Sequence, residues 1–94
     1  MRKVYFSLPI SVFKEGKTFV AYSPVLDLST CGNSLEQARA MFQEATEIFM
    51  EELDRKGTMD EVLPSLGWQK IDSNWQPPTE VSHQTRKFSL ALKA

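Results

Sequence analysis

The run from Ser34 to Lys56 constrains this chain most, because it reads as one amphipathic helix with a start signal, a period and a stop signal. Ser34-Leu35-Glu36-Gln37 has the S-x-x-Q form of a capping box, in which the serine oxygen accepts from the amide three residues on. At about 100° per residue, Leu35, Ala38, Phe42, Ala45, Phe49 and Leu53 fall in a sector about 80° wide, flanked by Met41 and Ile48. That sector is expected to pack on a sheet. Glu51 with Arg55 and Glu52 with Lys56 form favourably oriented i,i+4 pairs, and Gly57 suits the left-handed position that ends a helix.

The sheet is legible ahead of the helix. Val4, Phe6 and Leu8 alternate with Lys3, Tyr5 and Ser7, and Ile10 and Val12 continue the period-2 series of a half-buried strand. Pro9 cannot donate to a ladder, so this strand belongs at an edge or carries a bulge. Lys14-Glu15-Gly16-Lys17 has the chemistry of a short hairpin loop. Thr18 to Tyr22 is β-branched and aromatic with apolar residues on both faces, the mark of a central strand. Val25 to Thr30 alternates again, placing Leu26 and Leu28 on one face of a third strand that Gly32-Asn33 breaks.

After the helix, Thr58-Met59-Asp60-Glu61 repeats the capping form, and Pro64 limits any second helix to a turn or two. Gly67 to Ile71 suits a short fourth strand, and residues 72–78 read as a loop. In residues 79–94, Phe88, Leu90 and Leu92 alternate with Lys87, Ser89, Ala91 and Lys93, a C-terminal strand pattern. The expected fold class is α+β: a β-β-β-α core with an antiparallel sheet and one long helix, then a short fourth strand and a C-terminal strand. A single domain over residues 1–94 is expected, with its core in 1–71.

Composition narrows the function. At 94 residues and 41% apolar, the chain suits one small hydrophobic core. No apolar run approaches the roughly 18–20 residues of a membrane span, and Arg2-Lys3 precedes no signal-peptide core. With the lone Cys31, this points to a cytoplasmic protein. The net charge of −1 gives no reason to expect direct binding to nucleic acid. Its distribution is uneven, since residues 36–61 carry eight acids against three bases.

Ala21-Tyr22-Ser23-Pro24, Leu26-Asp27-Leu28 and Gly32-Asn33-Ser34-Leu35-Glu36-Gln37-Ala38 occur in this order. Together they resemble the HicB antitoxin family, with its A-x-x-P-x-L segment and its Gly-(Asp/Asn)-(Ser/Thr)-Leu-x-(Glu/Gln)-Ala helix start. The resemblance covers residues 17–56 well and 57–71 loosely. It implies a degraded, partly ribonuclease-H-like fold without catalytic carboxylates, whose task is to bind and neutralise a small basic ribonuclease toxin of HicA type. Two features depart from the family. The path Leu28-Ser29-Thr30-Cys31-Gly32 is shorter than the Pro-Gly-Cys turn of many members, and too few residues follow Ile71 for the C-terminal DNA-binding domain of operon repressors.

Glu36, Glu44, Glu47, Glu51 and Asp54 project within about 80° of one another, opposite the apolar sector. The stripe is mildly self-repelling and would be relieved by a basic partner, although exposed Glu-rich helix faces also simply keep proteins soluble. Tyr22 and Trp68 are further candidates for contacting a partner. Val20, Trp75, Phe88 and Leu90 are candidates for contacts within a homo-oligomer, because one helix covers one sheet face. Core packing is the competing role for the large aromatics. Catalysis has little support: Asp27 is the only strand acid, Cys31 and His83 lack a third orienting group, and one His with one Cys falls short of a zinc site. The expectation is a non-enzymatic protein with no metal or cofactor. The alternative is a stand-alone structural or regulatory oligomer without a toxin partner.

Overall fold

The computed structural model describes residues 5–93. Lys3 and Val4, which open the N-terminal alternation, lie outside this range. The elements are β1 (Ser11–Glu15), β2 (Thr18–Ser23), β3 (Leu28–Gly32), α1 (Leu35–Lys56), α2 (Met59–Ser65), β4 (Gln69–Ile71) and β5 (Asn74–Gln76). The fold is α+β, a three-stranded antiparallel sheet of order β1-β2-β3 followed by the long helix and a separate two-stranded sheet.

Glu15 pairs with Thr18 across Gly16-Lys17, and Gly16 takes φ 62° at the first loop position, where a side chain would be strained. β2 is central, as its two-faced composition predicts. β1 begins only after Pro9. Phe6 and Leu8 belong to no strand, yet both are half-buried and pack on the core, so their alternation records burial without ladder pairing. The third strand is also displaced from its expected place. Pro24 to Asp27 form the β2–β3 turn, with Asp27 at φ 49°, and β3 runs on through Gly32. As expected, the strand ends at Gly32-Asn33, and its last residue is Gly32. A Cβ there would lie 2.8 Å from the Ala38 amide nitrogen, so glycine is what allows α1 to approach so closely.

The start of α1 follows the sequence signal. Ser34 Oγ accepts from the Gln37 amide at 3.1 Å, and the Gln37 side chain accepts in return from the Asn33 amide. At the other end Gly57 takes φ 67°, its N–H donates to Asp54 O, and the Thr58 N–H donates to Leu53 O. The same double closure recurs after α2, where Gly67 donates to Pro64 O and Trp68 to Leu63 O. α2 spans seven residues with Pro64 near its end, so the limit of a turn or two holds.

The buried stripe of α1 includes Ala38, Phe42, Thr46 and Leu53, with Ala45 only half-buried. Cross-strand register puts Val12, Phe19, Ala21, Thr30 and Gly32 on the sheet face beneath it. Ala21, Ala38 and Phe42 form one packed cluster. A second holds Val25, Leu26, Leu53, Leu63, Trp68 and Trp75. Asn74 to Gln76, expected as loop, forms β5, with Asp72 and Ser73 both at positive φ in the two-residue turn from β4. The C-terminal strand does not form. Residues 77–93 have no regular structure, since alternation alone supplies no partner for strand backbone groups. With this extended tail the radius of gyration is 16.6 Å, against about 12 Å for a compact chain of this length.

Candidate partner-binding surface

Because α1 is capped at both ends and seated on the sheet, its outer face is a fixed ruler. Glu36, Glu44, Glu47, Glu51 and Asp54 are all exposed on it, spread over about 27 Å at 1.5 Å per residue. Of the two expected i,i+4 pairs one forms, Lys56 with Glu52 at 3.5 Å, whereas Arg55 bonds Glu52 rather than Glu51. Both bases are therefore drawn to one acid beside the stripe. Glu47 accepts from Gln43 at 3.3 Å. Glu36, Glu44, Glu51 and Asp54 make no ion pair among the described residues. The result is a rigid row of carboxylates whose charge is not neutralised locally.

The aromatic candidates separate. Trp68 and Trp75 are buried at 3% and 8% exposure, so both serve the core and neither is offered to a partner at the surface. Trp68 stacks edge-on against Phe6 with ring centroids 5.7 Å apart, and its Nε1 donates to Val25 O at 2.7 Å. Trp75 lies beneath Lys70, whose Nζ sits 5.6 Å from the ring centroid. Tyr22 is half-buried on the sheet face away from α1, with its hydroxyl 3.4 Å from Asp27 Oδ1. Val20 is on that same face, in line with Phe13 and Cys31 in the register. Phe88 and Leu90 stand free on the tail at 85% and 81% exposure.

Two features of the helix surface had no sequence signal. Thr46 sits on the buried stripe with no hydrogen-bond partner for its hydroxyl among the described residues, as does Ser23 beneath the helix. Thr46 also helps wall an open cleft of 410 Å³ between the α1 flank of Arg39, Gln43 and Glu47 and the segment Phe6 to Ile10. The opposite flank presents Met41 and Ile48 at 47% and 56% exposure, where the helical period alone places them at the margin of the core.

The catalytic alternatives are not assembled. Asp27 lies in the β2–β3 turn while the stripe points away from the sheet, and no three His, Cys, Asp or Glu side chains converge among the described residues. His83 Nδ1 is 3.3 Å from Glu80 in the tail, whereas Cys31 is on β3. No described helix is long and apolar enough to cross a membrane. No family model matches the chain, and neither a curated protein nor a solved structure matches it.

Proposed function

We propose that this chain is a non-catalytic HicB-like antitoxin of the cytoplasm, which binds a small basic ribonuclease toxin of HicA type and neutralises it stoichiometrically. The observation that carries the reading is the unneutralised carboxylate row of α1, held rigid over about 27 Å. A basic protein would gain electrostatic steering toward such a row and would relieve its self-repulsion. The ordered motifs from Ala21 to Ala38 add the family resemblance, and the ribonuclease-H-like relation of the fold belongs to the same proposal. Direct contact with nucleic acid has no part in it.

The test is co-purification of the full chain with the product of the neighbouring reading frame, expected to be a basic protein of roughly 60–90 residues. Glu44→Lys, Glu47→Lys and Glu51→Lys together should weaken the complex and flatten its salt dependence. Unchanged affinity in low salt removes this face from the interface, and failure to recover a basic partner defeats the antitoxin reading.

A second reading, a stand-alone structural or regulatory oligomer, is favoured by one specific observation. Phe88, Leu90 and Leu92 are 79–85% exposed on a tail with no partner strand among the described residues. Self-association without a basic partner would decide for it.

A further inference from the structure

We infer that the C-terminal segment Lys87 to Lys93 docks as a fourth strand on the free edge of β3 in a second copy of the chain. The inference stands independently of the antitoxin reading. Exposed edges are ordinarily guarded by charge or proline. The β1 edge is guarded in this way, with Pro9 before it and Lys14 and Glu15 within it. β3 reads Leu28-Ser29-Thr30-Cys31-Gly32, has no charged residue, and ends the sheet order.

The receiving site also has a roof. Arg39, Gln43, Thr46 and Glu47 face the cleft beside Phe6 to Ile10, so that flank of α1 lies toward β1. Met41, Ala45 and Ile48 occupy the opposite flank and overhang the β3 side. Met41 and Ile48 are about half exposed there. A strand added to β3 would present every second side chain to this overhang. Phe88, Leu90 and Leu92 have that period and are 79–85% exposed. Charge agrees too: Glu44 and Glu51 rim the overhang without ion pairs among the described residues, while the segment is bounded by Arg86, Lys87 and Lys93.

Chain reach makes the occupant a second copy. Pro78 packs on Gly67, and Glu80 to His83 share a shallow cleft with Pro9, Ile10 and Ser11, so the tail leaves the body on the β1 side. From His83 to Lys87 the chain spans at most about 14 Å. Passing from outside β1 to outside β3 of the same sheet crosses four strand spacings, about 19 Å. The segment therefore falls short of its own β3 edge and is free to reach another.

The lone cysteine supplies the test. With Phe88, Leu90 and Leu92 toward the helix, Ser89 and Ala91 share the opposite sheet face with Cys31. The wild-type chain is mixed with chain carrying Cys31→Ser plus either Ser89→Cys or Ala91→Cys, then oxidised. The expected result is a disulfide joining Cys31 of one chain to the introduced cysteine of the other in one of the two registers, identified by mass mapping of the cross-linked peptides against the two homodisulfides, and a dimer by light scattering at micromolar concentration. Leu90→Lys in the tail and Ile48→Lys in the overhang should each abolish both. These positions are exposed in the single chain, so circular dichroism should show an unchanged fold. A monomer throughout, a dimer that survives both lysine substitutions, or a dimer that cross-links in neither register would overturn the inference.

Discussion

Trp68 and Val25, 43 residues apart in sequence, are joined by a hydrogen bond of 2.7 Å from the indole Nε1 to the main-chain carbonyl. The bond explains how a β-turn can enter the core. Val25 and Leu26 are turn residues buried at 6% and 3% exposure, and a buried turn must find donors for its carbonyls. The indole fills the space with apolar surface and supplies a donor from the same side chain.

Trp68→Phe should therefore destabilise the fold by about 1–3 kcal/mol, the cost of leaving a buried carbonyl without its donor. Phenylalanine keeps an aromatic edge toward Phe6, so most of the packing loss is avoided. Urea denaturation would show a lower midpoint with an unchanged slope. An unchanged midpoint would mean that water replaces the indole at Val25.

Gly32→Ala tests a different constraint. The added methyl would meet main-chain atoms of Ala38 and Gln37, which cannot swing aside as a side chain could. Overpacking of this kind costs about 1–3 kcal/mol and should lower the melting temperature. Gly57→Ala meets no steric neighbour, and its cost of about 1–2 kcal/mol comes from the left-handed backbone alone. Deleting nearby side-chain bulk should rescue neither variant.

Thr46→Val should stabilise the protein by about 1 kcal/mol, because it replaces a buried hydroxyl that has no partner among the described residues with a methyl of the same shape. Thermal unfolding at fixed pH would register a higher midpoint. A loss of stability would show that the hydroxyl is solvated through the adjacent cleft.

The carboxylate stripe should cost the free protein stability. Replacing Glu44, Glu47 and Glu51 together with glutamine removes like-charge pairs worth a few tenths of a kcal/mol each, for a gain of about 1 kcal/mol at low ionic strength. Chemical denaturation repeated in high salt should erase most of the gain, since screening acts on exposed charges.

Much of this fold is written locally. The α1 boundaries follow from Ser34, Gln37 and Gly57, and the first hairpin from Gly16, because these residues act on backbone atoms within four positions. The remainder depends on distant partners. Val25 and Leu26 alternate like strand residues but are held in a turn by Trp68, which the local pattern cannot encode. β5 is three residues long with a turn of Asp72 and Ser73 in place of the usual glycine, so its signal is too short and atypical to register. The tail pattern is strand-like without a strand, since pairing is a property of two segments. For the surface, helical period alone placed all five acids on the outer face. It could not tell a buried tryptophan from a displayed one, and so Trp68 and Trp75 pass from contact candidates to core.

The two faces of α1 share one screw axis, and this sets how the surface can change over evolutionary time. Each acid can be exchanged for another polar residue without disturbing Ala38, Phe42 or Leu53, so the charge of the outer face can drift by point substitution. An inserted or deleted residue between Glu44 and Glu47 would instead turn everything beyond it by about 100°, swinging carboxylates toward Val25 and Leu26. The surface vocabulary of this helix is open to respelling, but its reading frame is locked to the core.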